Sequence, residues 1–204
     1  MQDKRRSAPP VKRARPAAAN ELRIVGGKWR SRRLRLSAGG SIRPTPDRVR
    51  ETLFNWLQDR VVDARCLDLF AGSGALGIEA LSRGARAVTF VEKNARAARQ
   101  IQSALEEFGV AEARVLVVDA LDFLRGAASQ FDIVFLDPPF ASGLLGPVCA
   151  QLEARGWLAD GALVYLEAAS RDAAPVLPAG WQLLKAKRAG EVGYYLAERR
   201  RQLA

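Results

Sequence analysis

Asp68-Leu69-Phe70-Ala71-Gly72-Ser73-Gly74-Ala75-Leu76-Gly77 joins a short apolar run, Cys66 to Phe70, to a stretch of helical character, Ala75 to Arg83. An apolar run that ends in glycines and reopens as a helix is the first strand–turn–helix unit of an open α/β sheet, with the ligand-holding turn at the strand's carboxyl end. Downstream, Val88 to Glu92 reads as a strand, Ala95 to Phe108 as a helix, Val115 to Asp119 as a strand and Leu121 to Leu124 as a short helix. Phe131 to Asp137, a helix over Leu145 to Ala154, and Ala162 to Glu167 continue the alternation. Strands with unbroken apolar runs are buried on both faces, which predicts a mostly parallel, doubly wound, Rossmann-like sheet. Trp181 to Lys187 and Val192 to Ala197 flank Arg188-Ala189-Gly190-Glu191 with no helix between them, so the sheet is expected to end in an antiparallel pair.

Upstream of the loop the pattern is shorter. Leu22 to Val25 and Arg33 to Leu36 read as two strands of a small β-hairpin joined by Gly26-Gly27-Lys28-Trp29-Arg30. Arg43-Pro44-Thr45-Pro46 stops any strand, and Thr45 is expected to cap a helix with Pro46 at its first position. Val49, Leu53, Trp56 and Leu57 then recur at helical spacing. Residues 1–20, rich in Arg, Pro and Ala, read as a disordered basic arm. The expected organisation is therefore arm 1–20, hairpin extension 21–45, and an α/β domain over 46–204.

Gly72, Gly74 and Gly77 match the G-x-G-x-x-G fingerprint of dinucleotide-binding turns, and Glu92 lies where the ribose-binding acid would stand. Asp68 argues against a dinucleotide, because a carboxylate at the mouth of the loop repels a pyrophosphate that the helix N-terminus would otherwise hold. S-adenosylmethionine has no phosphate and carries an ammonium and a sulfonium, so an acid here suits it. Glu92 can accept from both ribose hydroxyls, and Asp119, followed by Ala120, can accept from the adenine amine. Phe70, Ser73, Lys93 and Asp137 complete the expected cofactor set.

Asp137-Pro138-Pro139-Phe140 follows the strand Phe131 to Leu136. The prolines make a stiff turn with few donors. The acid before them and the aromatic after them fit methylation of an aromatic amine. Such an amine is a poor nucleophile because its lone pair is delocalised into the ring. Asp137 and the Pro138 carbonyl can each accept one amine hydrogen and so redirect the lone pair. Phe140 can stack on an extruded base.

The chain has no histidine, which removes the usual general base and most zinc and iron sites; no metal is expected. Cys66 and Cys149, far apart and without C-x-x-C companions, read as small core residues. No apolar stretch approaches the roughly 20 residues of a membrane span, and no secretory h-region follows the basic N-terminus, so a cytoplasmic location is expected. The net charge of +10 is concentrated at one end. Residues 1–20 carry net +5, residues 21–50 carry net +7 and the remainder −2. Such a concentration points to a polyanion partner. Arg23, Lys28, Arg30, Arg32 and Arg33 on the hairpin are the expected phosphate contacts, and Arg43, Thr45 and Arg48, just ahead of the core, are expected to reach the cofactor's carboxylate or the target nucleotide.

At this point the sequence resembles a known family. D-P-P-[FY] after a D-x-F-x-G-x-G loop is a signature of amino-methyltransferases of nucleic acids. Arg23-Ile24-Val25-Gly26-Gly27-Lys28-Trp29-Arg30 and the segment Arg43 to Trp56 are similar to the bacterial 16S ribosomal RNA guanine-N2 methyltransferases that modify the guanine numbered 966. The resemblance runs from about Leu22 to Glu198. It implies a class I methyltransferase fold, S-adenosylmethionine as methyl donor, 16S RNA in an assembled or partly assembled small subunit as substrate, and a monomer. An adenine-N6 methyltransferase shares the tetrapeptide and is separated only by residues 23–56. A dinucleotide oxidoreductase leaves Asp68 and Asp137 unexplained. A non-catalytic RNA-binding assembly factor leaves the acids at three strand ends unexplained.

Overall fold

The computed structural model describes residues 21–35 and 45–200. The expected arm over 1–20 and the assignment to Arg43 lie outside these residues. The alternation read from the sequence folds as β3 (Arg65–Asp68), α2 (Ala75–Ser82), β4 (Ala87–Val91), α3 (Ala95–Glu107), β5 (Ala113–Leu116), α4 (Ala120–Arg125), β6 (Phe131–Leu136), α5 (Leu145–Ala154) and β7 (Leu158–Ala169). Ahead of them stand the hairpin β1 (Glu21–Arg23) and β2 (Arg33–Arg35) and the helix α1 (Asp47–Leu57); β8 (Trp181–Ala189) and β9 (Val192–Arg199) close the chain. The large sheet has the order β5-β4-β3-β6-β7-β9-β8. The first five strands are parallel, and β9 is antiparallel to both β7 and β8.

Strand alternation divides the core in two. Cys66, Phe90, Ile133, Phe135 and Tyr165 face α1, α2 and α3 through Leu53, Phe54, Ile78 and Ile101. Leu67, Val91, Val134, Leu136 and Leu166 face α4 and α5 through Leu124, Val148 and Leu152. Both cysteines are buried and free. Gly77 lets α2 settle onto β4, since a Cβ there would stand 2.2 Å from the Phe90 ring.

Two local expectations are corrected. The third strand of the alternation lies at Ala113–Leu116, two residues before the expected Val115–Asp119, so Asp119 does not end a strand. It caps α4 instead, accepting from the Leu121 amide at 2.9 Å. Thr45 does not cap α1. Pro46 is the capping residue, and its carbonyl takes the amides of Val49 and Arg50. The Thr45 hydroxyl is occupied elsewhere, as described below.

The hairpin is fastened to the helical layer by buried polar contacts. Ser82 donates to the Gly26 carbonyl at 2.6 Å and accepts from the Trp29 amide at 3.0 Å. The Trp29 ring stacks on Phe108, with centroids 4.4 Å apart. Arg50, fully buried, reaches the carbonyls of Arg23 and Thr45 and the carboxylates of Asp47 and Glu79. Glu79 also pairs with Arg83 and accepts from the Val25 amide. Helices α2 and α3 run back from the carboxyl edge of the sheet, so their last turns, where Trp29 docks, lie at the opposite edge. For α2, eight residues at about 1.5 Å each place that contact roughly 12 Å from its first turn.

Candidate active site

The strand order brings acids from distant parts of the chain to one edge. Following β5-β4-β3-β6-β7 along the carboxyl ends, the residues are Asp119, Glu92, Asp68, Asp137 and Glu167. The edge includes the switch point between β3 and β6, where open α/β sheets bind ligands. The first four were expected from the sequence. Glu167 was not assigned a role, although an acid at the end of the run Ala162 to Glu167 was a visible signal.

Asp68 is buried at 3% exposure, and its Oδ2 accepts from the Gly77 amide at 3.0 Å. It therefore closes the first turn of α2 as well as fronting the loop. Glu92 follows β4 and accepts from the amides of Gly72 and Asn94, both at 2.7 Å, which fixes its carboxylate beside the loop. Gly72 and Gly74 both take positive φ, 54° and 76°. A Cβ on Gly74 would point at Ile101 and Ile78, 3.0 and 3.2 Å away, so core packing and a left-handed backbone both favour glycine here. Phe70 and Ser73 are half-buried, Ala120 is buried and Lys93 is exposed.

Asp137 stands directly after β6, and Pro138 is buried behind it. Among the described residues no donor reaches the Pro138 carbonyl. Phe140, in the short turn that follows, is 42% exposed. The tetrapeptide thus presents two acceptors beside an uncovered aromatic face.

The basic residues are distributed less simply. Lys28, Arg30 and Arg48 are exposed. Arg23 pairs with Asp47, Arg33 with Glu21, and Arg32 with Glu107 while lying over Phe108. These exposed pairs contribute little and exchange readily for other anions. Thr45 is 7% exposed and donates to Glu167 at 3.2 Å, so it lies among the acids of the edge rather than on the open surface. Lys28, Arg30 and Arg32 sit at the hairpin turn, on the side remote from the acids. Sequence reading also missed Arg50, which resembles its surface neighbours in composition and is buried.

Burial raises the Asp68 carboxyl to about 7, reinforced by the charges of Asp137 and Glu92 and opposed by the Gly77 amide. Asp137 is raised by burial, and Glu167 by burial and then by the Asp137 charge. For such groups the folded state holds more protons than the unfolded one, so their stability contribution is fully present below about pH 4 and lost as pH rises through the folded values. Asp68→Asn, which keeps the acceptor for Gly77, is expected to gain stability relative to the native protein as pH rises from about 4 to about 7. Thermal denaturation of both proteins across that range checks this; a constant difference between them rules out a raised Asp68.

The donor set fits S-adenosylmethionine. Carboxylates line the edge, and the loop from Asp68 to Gly77 carries no cation to hold a phosphate. Glu92 would take the ribose hydroxyls, Asp119 and Ala120 the adenine, and Asp68 the cationic amino-acid end. Sheet order, the acids on its carboxyl edge and the turn at Asp137 together define a class I, S-adenosylmethionine-dependent methyltransferase.

Comparison with known proteins narrows the class. The chain belongs to the family described as Conserved hypothetical protein 95, whose model matches residues 22–198, and with it to the relatives called ribosomal RNA small subunit methyltransferase D. The *Escherichia coli* K12 protein of that name is 45% identical over 192 residues, covering 94% of this chain and 97% of the relative. The solved structure of YhhF from *Escherichia coli* is 46% identical with a TM-score of 0.83, covering 90% of this chain and 100% of that one. The *Thermus thermophilus* 16S rRNA N2 G1207 methyltransferase, solved with AdoMet and guanosine, is 26% identical with a TM-score of 0.65, covering 96% of this chain and 53% of that one.

Proposed function

We propose that the chain transfers a methyl group from S-adenosylmethionine to the N2 amine of a guanine in 16S ribosomal RNA. The observation that carries this reading is the Asp137-Pro138-Pro139-Phe140 turn, with two acceptors and an exposed ring at the end of a row of acids. The 45% identical *Escherichia coli* relative and the guanosine held by the *Thermus* neighbour support the RNA and the base.

When bound, S-adenosylmethionine supplies an electrophilic methyl group on a sulfonium whose departure leaves a neutral thioether. Asp137 and the Pro138 carbonyl accept the two hydrogens of the guanine amine and turn its lone pair toward that methyl carbon. As the nitrogen–carbon bond forms and the carbon–sulfur bond breaks, the Asp137 carboxylate offsets the positive charge growing on the nitrogen. The same carboxylate can then take the proton that the nitrogen releases, so no histidine is needed. Phe140 stacks on the base held out of its helix or loop.

The resemblance to the guanine-N2 methyltransferases supports action as a monomer. The exposed hairpin cations would meet phosphates away from the target nucleotide, which suits an assembled or partly assembled small subunit. No helix among the described residues is long and apolar enough to cross a membrane, and an RNA-modifying role fits the cytoplasm. The test is incubation with labelled S-adenosylmethionine and either small ribosomal subunits or DNA, then digestion to nucleosides. N2-methylguanosine from subunits is expected. N6-methyladenosine from either substrate replaces this reading with the adenine one.

A further inference from the structure

Two buried acids outside the glycine loop are held in opposite ways. Glu79 is paired with both Arg50 and Arg83 and has the function of a structural anchor. Glu167, 3% exposed, has no arginine or lysine partner among the described residues. Its Oε1 accepts the Tyr165 hydroxyl at 2.8 Å and the Thr45 hydroxyl at 3.2 Å, and among the described residues both bonds to this carboxylate end on that oxygen. A buried carboxylate with no counter-ion among the described residues is costly to the fold, and a glutamine would accept the same two bonds without the charge. Such a group at a ligand-binding edge marks a functional residue.

Its position says which function. Leu136 on β6 is in register with Leu166 on β7, so the next residues, Asp137 and Glu167, are neighbours across the strands at about 4.8 Å. Both follow residues of the second core, and alternation directs both toward the face of Phe135, Tyr165 and α1. The base whose amine is held by Asp137 therefore meets Glu167 with the adjoining part of its edge. In guanine the carbon that bears the N2 amine is flanked by N1, which carries a hydrogen, and by N3, a bare acceptor, so a carboxylate beside the amine pairs with the N1 side. In adenine the atom next to the N6 amine is also N1, which is a bare acceptor.

We propose that Glu167 is the residue that selects guanine, its Oε2 accepting the N1 hydrogen while Asp137 and the Pro138 carbonyl hold the N2 amine. This rests on the guanine-N2 reading above. Three acceptors then meet three donors, and an adenine in the same place would set its N1 lone pair against a carboxylate. Thr45 and Tyr165 aim the carboxylate by occupying Oε1, which gives the buried Thr45 a positioning role. Burial and the Asp137 charge raise the affinity of Glu167 for a proton, so binding guanine requires the carboxyl to give up that proton, whose place on Oε2 the N1 hydrogen then takes.

The experiment uses small subunits reconstituted with 16S RNA in which the target guanine is kept or replaced by 2-aminopurine. That base retains the N2 amine and presents N1 as an acceptor. The wild-type protein is expected to prefer guanine in kcat/KM, and Glu167→Gln, whose amide can donate to a bare N1, is expected to lower that preference roughly 10- to 100-fold. The ratio of two substrates is independent of how much of the variant folds. An unchanged ratio in Glu167→Gln, or a wild-type protein that uses both bases equally, overturns the assignment. If the wild-type protein makes no N2-methylguanosine from native RNA, the guanine-N2 reading itself falls and takes this role with it. N2-methylguanosine with an unmoved ratio removes Glu167 alone.

Discussion

Asp137→Ala is expected to slow single-turnover methyl transfer by about 10²-fold or more while leaving cofactor affinity nearly intact, a loss of roughly 2.7 kcal/mol or more of transition-state stabilisation. The expectation follows from where the carboxylate stands. It is the first residue after β6, stiffened by two prolines, and in the proposed reading it holds the amine rather than the cofactor's ribose or adenine. Asp137→Asn separates its two contributions. The amide oxygen still accepts a hydrogen bond, so partial activity assigns most of the effect to lone-pair orientation. Complete loss assigns it to the charge that offsets the developing cation. Phe140→Tyr keeps the ring and is expected to be tolerated, whereas Phe140→Ala removes a stacking surface worth roughly 1–3 kcal/mol per base. A near-native single-turnover rate from Asp137→Ala with saturating substrate would show that the chemistry lies elsewhere on the edge.

Arg50→Ala is expected to produce the largest loss of stability, about 3–5 kcal/mol in denaturant unfolding. Arg50 and Glu79 are both at 0% exposure, and the guanidinium is spread over the carboxylates of Asp47 and Glu79 and the carbonyls of Arg23 and Thr45. Truncation removes the donors to the buried Thr45 carbonyl and the half-buried Arg23 carbonyl and leaves Glu79 with Arg83 and the Val25 amide alone. The double variant Arg50→Met with Glu79→Met is expected to recover part of the loss, because it removes both charges together and restores apolar volume. If Arg50→Ala unfolds at the native midpoint, the network contributes nothing and the hairpin is held by Trp29 and Ser82 alone. The same variant bears on chemistry, since the Arg50 bond to the Thr45 carbonyl lies one residue's reach from Glu167.

Much of this was legible from short stretches. A glycine turn between an apolar run and a helix is a local arrangement, written in residues that tolerate positive φ and in the hydrophobic period on either side. The alternation of strand and helix, the antiparallel close and the Asp137-Pro138-Pro139-Phe140 turn were readable for the same reason. Boundaries moved where local pattern was weak: Val115 to Asp119 is as apolar as Ala113–Leu116, and only pairing with β4 selects the latter.

What spacing could not convey is which side chains end up buried and beside whom. Arg50 sits in a run of basic residues and looks like a surface cation; it is enclosed because α1 packs beneath the hairpin and against α2. Thr45 has the composition of a helix cap, and its hydroxyl instead finds Glu167, 122 residues away. The hairpin's cations were visible as charge, but their distance from the acids follows from helices that run back across the sheet. The local sequence determined the elements, the glycine turn and the acid–proline–proline–aromatic tetrapeptide on which the proposed chemistry rests, because these depend on backbone preference and on neighbours in the chain. The tertiary structure alone decided that Glu167 stands beside Asp137 and that Arg50 is a buried anchor, because strand register and burial are set by contacts between residues far apart in sequence.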